Sequence, residues 1–182
     1  LPKVVVLRWG HRHRDERLTT HVALTARAFA ASGLILTDVE DVKIKTTIEK
    51  VVHNFGGIFF FEMGTPWKTA LTRWKTAGGI VVHLTAYGEN LQTSDVMNRI
   101  KAAEKDVLVI VGSRKVPGQF FSPETSDFNV AVGNQPHSEC SSLAVFLDRF
   151  FGGKELAQEF PAAKLQIVPQ GHGKKVVAKR KA

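Results

Sequence analysis

Six short apolar runs rich in β-branched residues, separated by stretches of helical patterning, restrict the fold of this chain more than any other feature. The runs are Val4 to Leu7, Leu34 to Leu36, Ile58 to Phe61, Ile80 to Leu84, Val107 to Val111 and Val130 to Val132. Most do not alternate apolar with polar residues, as a strand with one wet face would. Continuous apolar runs of this length suit strands covered on both faces. Between them, Thr20 to Ala31, Lys45 to Asn54, Trp67 to Ala77, Ser94 to Glu104 and Ser141 to Phe151 are predicted helices. Regular alternation of strand and helix predicts an α/β fold, a mainly parallel sheet flanked by helices.

Local signals mark the boundaries. Thr19 or Thr20 is expected to cap the first helix and Gly33 to end it from the C′ position. Pro66 is expected at the first position of the third helix, and Gly78-Gly79 stops that helix. The pattern changes after Gly152-Gly153. Residues 1–153 therefore read as one α/β domain and residues 154–182 as a short basic C-terminal extension, in which Lys164 to Pro169 forms one edge strand. At 182 residues and 43% hydrophobic, the chain suffices for a single proper core.

Composition then narrows the function classes. No apolar run approaches membrane-spanning length, and residues 1–6 lack the layout of a secretory signal, so a cytoplasmic protein with no membrane association is expected. The single cysteine, Cys140, excludes an internal disulfide framework and a thiolate metal cage. His11, His13 and His21 have no acidic or thiolate partner at convincing spacing; they read as solvated or RNA-facing groups, and no metal is expected. The net charge of +8 is concentrated at the two ends, in Arg8, Arg12, Arg14 and Arg17 and in Lys174, Lys175, Lys179, Arg180 and Lys181. Such clusters attract phosphate backbones through counterion release. Solubility plus a basic tail accounts for the charge equally well.

No G-x-G-x-x-G follows any predicted strand, and there is no P-loop. A ligand must be held by other loops, and three strand ends offer them: Leu84 to Gly88, the loop leaving through Gly112, and the turn through Gly133. Ligands of open α/β sheets sit beyond the carboxyl ends of the strands, and glycine there permits close backbone approach. Three adjacent ends could enclose one adenosine-sized ligand. The segment Asn129 to Glu139 is the most telling, because a strand-like run passes through a polar turn into a helix whose exposed start is Ser138. That layout gathers unpaired backbone N–H and C=O groups at one spot. On the first helix, Val22, Ala26 and Phe29 form the apolar face with Arg27 beside it. His21 stands about 120° away, so the two could edge one cleft. By itself Arg27 also fits an arginine whose stem covers the core while its head reaches water.

The segment His21-Val-Ala-Leu-Thr-Ala-Arg27-Ala resembles the first motif of ribose 2′-O-methyltransferases of the SPOUT superfamily. Ile110-Val-Gly-Ser-Arg-Lys-Val-Pro117 resembles their second motif, and Gln135-Pro-His-Ser-Glu139 with the helix through Asp148 their third. Leu7 to Arg12, Thr19 to Phe29, Gly79 to Gly88, Asn129 to Arg149, Ile167 to Gln170 and Gly173 to Val177 are together similar to the archaeal tRNA cytidine-56 2′-O-methyltransferase family. The resemblance implies a SPOUT-type α/β knot, with a deep trefoil knot in the C-terminal half, and an obligate homodimer. It implies S-adenosyl-L-methionine as cofactor. The pocket would comprise Leu84; the loop Gly112, Ser113, Arg114, Lys115 and Val116; and the loop Val130, Ala131, Val132, Gly133, Asn134, Gln135, Pro136 and His137. Arg27 matches the superfamily's catalytic arginine, expected to clamp a phosphate and stabilise the developing alkoxide, since guanidinium keeps its proton. Arg8, Arg12, Arg14, Arg17, Lys174 and Lys175 are the expected phosphate contacts on tRNA, and His21 the expected RNA-positioning group. Two positions depart from the superfamily pattern: Arg114 stands where an acidic residue is usual, and His21 where an asparagine is usual. The helix through Leu143, Phe146, Leu147 and Phe150, broadened by Val145 and Phe151, suits a knot helix that also meets a partner subunit. The implied activity is in-line methyl transfer to the 2′-oxygen of cytidine 56 in the T-loop; a non-catalytic RNA-binding α/β module is the alternative.

Overall fold

The computed structural model describes residues 2–179. Strands β1 (Val4–Trp9), β2 (Gly33–Leu36), β3 (Phe60–Met63), β4 (Ile80–Asn90), β5 (Val107–Gly112) and β6 (Phe128–Ala131) form one sheet in the order β3-β2-β1-β5-β4-β6. Every neighbouring pair is parallel. Helices α1 (Glu16–Ala28), α2 (Val42–Phe55), α3 (Trp67–Thr76), α4 (Val96–Ala102) and α5 (Glu139–Phe151) connect and cover it. The α/β reading of the apolar runs therefore holds element by element, with the third run displaced: Ile58 is 91% exposed, and the strand begins at Phe60 on the sheet's edge.

The burial pattern explains why those runs are continuous. On β1, Val4 and Val6 face one core with Val22, Ala26, Ile44, Leu143 and Phe146, while Val5 and Leu7 face a second with Ala70, Leu71 and Phe120. Alternate side chains thus enter different layers, and both layers exclude water. Each fully buried Val, Leu or Ile here contributes about 1.5–3 kcal/mol relative to exposure.

Four local expectations need correcting. The first helix begins at Glu16, before either threonine. A 3-10 turn over His13–Asp15 leads into it, braced by Asp15, whose carboxylate accepts from the Arg12 backbone and guanidinium. Thr19 is consequently buried within α1 and Thr20 donates its hydroxyl to Glu16 O. The same helix ends on Ala30 in the left-handed region (φ 67°), with Ala31 N donating to Ala26 O. Gly33 is instead the buried first residue of β2, where any Cβ would strike the Phe60 ring. Pro66 is the N-cap of α3, one position outside the helix.

The fourth correction concerns the C-terminal segment. Leu165–Val168 is a strand (β7), but it pairs antiparallel with Lys175–Ala178 (β8) in a separate two-stranded sheet rather than edging the main one. Lys164 N donates to Asn54 O and Gly57 N to Pro161 O, which lays this segment against the C-terminal end of α2. No described helix is long and apolar enough to cross a membrane.

Candidate active site

The carboxyl ends of β5, β4 and β6 lie side by side, so the three loops singled out from sequence converge. Their shape depends on an irregularity in β4. Both Leu84 and Glu89 pair with Val130, so Thr85 to Gly88 bulge out of the sheet between them. Gly88 closes the bulge: a Cβ there would lie 2.5 Å from the Asn129 and Val130 backbone. Asn134 ties the next loop to it, donating to Ala86 O (2.9 Å) and Gly88 O (3.0 Å) and accepting from Asn90 Nδ2 (2.9 Å). His137 bridges Val132 O (2.6 Å) and Ser141 Oγ (3.1 Å), and the Ser138 hydroxyl accepts from Cys140 N to cap α5.

Between these loops lies a cavity of about 180 Å³, walled by Leu84, Thr85, Val111, Gly112, Val132, Gln135, Pro136, His137, Glu139 and Ser142. It continues past Leu84, Thr85 and Gly112 into a cleft of about 810 Å³ that reaches Tyr87, Arg114, Lys115, Val116 and Phe121. The Gly112 loop folds tightly here, since a Cβ on Gly112 would lie 2.6 Å from Val116 Cγ1. Thr85 and Glu139 fall in segments singled out from sequence without being named as pocket residues; Val111 and Ser142 escaped, though Ser142 was recoverable from the first turn after the Ser138 cap. Four residues expected in the pocket stand behind it. Val130 and Ala131 are core side chains, Ser113 donates its hydroxyl to Asp15 (3.0 Å), and Asn134 acts as the brace just described.

A buried polar network supports the cavity. Arg8, expected on RNA, is fully buried and turned inward: its Nη1 donates to Gly112 O (3.0 Å) and to Glu139 (3.1 Å), and its Nε to Thr19 Oγ1 (3.2 Å). It cannot reach a phosphate from there. His11 is buried as well, between Thr19 Oγ1 (2.8 Å) and Asp41 Oδ2 (3.0 Å), which corrects its reading as a solvated or RNA-facing group. Asp41 can only accept, so His11 Nε2 carries a proton; in the neutral ring, Nδ1 then accepts from the Thr19 hydroxyl, whose oxygen accepts from Arg8. Burial lowers the pKa of Arg8, opposed by Glu139. Asp15 is held at about 2, chiefly by the Arg12 hydrogen bond. Arg12 is thereby partly engaged, whereas Arg14, Arg17, His13, His21, Lys174 and Lys175 are exposed and form no ion pair among the described residues.

Arg27 stands elsewhere. The loop after α1 returns to the start of the sheet, where Ser32 N donates to Val4 O, while Gly112 pairs with Trp9 at the far end of β1. Five strand steps separate those levels, roughly 17 Å. Arg27 donates to Gly56 O (2.6 Å) and lies 4.5 Å from the Phe160 ring centroid, against a cavity of about 450 Å³ that shares no residue with the strand-end cleft. His21 is exposed and does not border that cavity, so the two side chains do not edge one cleft. Among the described residues no cluster of His, Cys, Asp or Glu could hold a metal ion.

The chain is similar to known proteins over nearly its whole length. A family model described as tRNA ribose 2′-O-methyltransferase, aTrm56, matches residues 55–177. A relative from Staphylothermus marinus named tRNA (cytidine(56)-2′-O)-methyltransferase is 53% identical over 175 residues, covering 96% of this chain and 92% of that protein. Among solved structures, the A. aeolicus TrmH/SpoU tRNA modifying enzyme superposes with a TM-score of 0.59 at 14% identity, covering 85% of this chain and 77% of that one. The SpoU methyltransferase AviRb from Streptomyces viridochromogenes, in complex with AdoMet, gives 0.55 at 13% identity, covering 83% and 57%.

Proposed function

The chain belongs to the tRNA ribose 2′-O-methyltransferase family, and from that premise we propose that it is an S-adenosyl-L-methionine-dependent tRNA (cytidine(56)-2′-O)-methyltransferase. Sequence identity above one half with a protein so named, spread over almost the entire chain, carries this reading.

The strand-end cleft fits the cofactor chemically. Leu84, Val111, Val132 and Pro136 supply apolar walls, and Gln135, His137 and Glu139 supply a few polar groups, the mixture small-molecule sites use. When bound, the cofactor supplies an electrophilic methyl group on a sulfonium. The chain's residues hold it, exclude water and present the cation with the fixed negative charge of Glu139, which Arg8 anchors. Arg27 keeps its proton and serves as a clamp on the neighbouring phosphate and on the developing 2′-alkoxide.

Because Arg27 lies at the opposite end of α1 from its own chain's cleft, the reading includes a homodimer in which each Arg27 serves the partner's cofactor. It also includes a trefoil knot around β4 to α5, a basic extension over residues 154–182, and action in the cytoplasm on tRNA. Incubation with labelled cofactor and unmodified tRNA, followed by location of the methyl group, tests the activity; methyl at any site other than the ribose of C56 overturns it. Arg27→Ala should abolish transfer and leave calorimetric cofactor binding intact. Gly112→Val should block the cleft. Mixing the two inactive variants should restore roughly a quarter of wild-type turnover if the site is shared, and none if each chain is self-sufficient.

A further inference from the structure

The cavity beside Arg27 shares no lining residue with the strand-end cleft, and its lining is that of a nucleotide site. Its volume, about 450 Å³, falls in the range of small-molecule pockets. Phe55 and Phe160 give it aromatic surface, Arg27 and Lys179 give it two cations, and Gln158 and Glu159 give it amide and carboxylate groups. Arg27 Nε is buried without a hydrogen-bond partner among the described residues, so a polar group at the site remains to be matched. Glu159 forms no ion pair among the described residues, although the chain carries a net charge of +8 and the carboxylate lines the same cavity as Arg27 and Lys179. A carboxylate there repels phosphate, so it serves another part of the ligand.

We propose that this cavity seats the target cytidine, splayed out of the T-loop, with its base against the phenylalanines and its exocyclic amine on Glu159. Resting on the functional reading above, this adds where the base sits and what selects it. Single-stranded nucleotides are recognised by splaying the base onto aromatic side chains and hydrogen-bonding its edge. Cytosine offers a 4-amino donor, which an ionised carboxylate accepts; uracil offers a carbonyl oxygen, which the carboxylate repels. The Gln158 amide, already donating to Ala28 O at 3.2 Å, is held beside Glu159 and keeps its carbonyl oxygen as a further acceptor. The cations fall to the phosphate and sugar, which puts the ribose at Arg27, where the reactive hydroxyl is needed. A base seated here also explains the position of the extension: Phe160, Leu165 and Lys179 all come from residues that follow the knot-forming helix.

The test compares T-arm hairpins carrying C56 or U56, bound by fluorescence anisotropy in the presence of S-adenosylhomocysteine, alongside transfer to full-length tRNA. The wild type should prefer C56 by roughly 10- to 100-fold. Glu159→Ala should lose that preference, and Glu159→Gln, whose amide can donate to a carbonyl, should shift it toward U56. Both should keep the wild-type Tm and cofactor affinity, since Glu159 is exposed and lines no part of its own chain's strand-end cleft. An unchanged C56 preference in both variants overturns the proposal, as does a wild type with no preference. If the wild type transfers no methyl group but Glu159 still governs base preference, the base seat stands and the functional reading falls. If transfer to C56 proceeds and Glu159 is silent, the functional reading stands and the base seat falls.

Discussion

Arg8 lies beneath the strand-end cleft with its guanidinium divided between Gly112 O, Glu139 and Thr19, so one side chain joins two of the three strand-end loops to α1. Arg8→Met leaves Glu139 without its partner, and breaking a buried ion pair this way costs about 3–5 kcal/mol. Glu139 is a quarter exposed, at 24%, so the lower end applies, and Tm should fall by roughly 6–12 °C. Cofactor affinity measured by calorimetry should fall with it. Adding Glu139→Gln should recover part of the stability but little of the affinity, because it removes the stranded charge without restoring the brace. His83 gives a pH signature. Burial between Phe120 and Phe121 lowers its pKa, so the folded chain prefers the neutral ring. Its contribution is complete above the unfolded value of about 6.5 and is lost as pH falls below that through the lowered native value. Thermal melts of the wild type should therefore weaken from pH 7.5 to 5.5 more than those of His83→Phe; parallel profiles would assign the acid sensitivity to another group. None of these partners was legible in the sequence. Arg8 and His11 sit in a basic, hydrophilic stretch, and what buries them is Asp41 and Glu139, 30 and 131 residues away.

At the level of elements, the apolar runs were readable because a strand buried on both faces leaves a local, continuous signal. The Thr85–Gly88 bulge was not, because a bulge is defined by the partner strand, and β6 lies some forty residues on. Gly88→Val should therefore do more damage than its surface loop position suggests. Its side chain would enter the Asn129–Val130 backbone, and separating β4 from β6 should abolish cofactor binding in calorimetry while the far-UV spectrum stays α/β. Helix α5 was legible down to its Ser138 cap, and its stripe of Leu143, Phe146, Leu147 and Phe150 is buried. Phe146→Ala should cost about 3–5 kcal/mol in denaturant unfolding. Strand β8 escaped notice because Lys175-Val-Val-Ala178 is short and embedded in a basic tail. Only β7, supplying the opposite edge, makes it a strand.

For the whole molecule, the arrangement that matters is the strand-end cleft at one end of the sheet and Arg27 with its aromatic cavity at the other. Arg14, Arg17, Lys174 and Lys175 are exposed cations, and on the proposed function they supply the long-range attraction for tRNA. Changing Arg14 and Arg17 to Gln should weaken tRNA binding and reduce the log–log salt slope by roughly one per lost phosphate contact, with cofactor affinity unchanged. By itself the sequence determined the α/β class, the order of strands and helices, the loops that converge beyond the strand ends and the family resemblance, because each rests on residues that are neighbours along the chain. Tertiary structure alone decided that Arg8 and His11 are internal, that β4 bulges around Gly88, and that Arg27 is parted from its own cleft. Those outcomes depend on charge burial, strand register and helix length. Each is set by which distant segments pack together, and no local pattern records that.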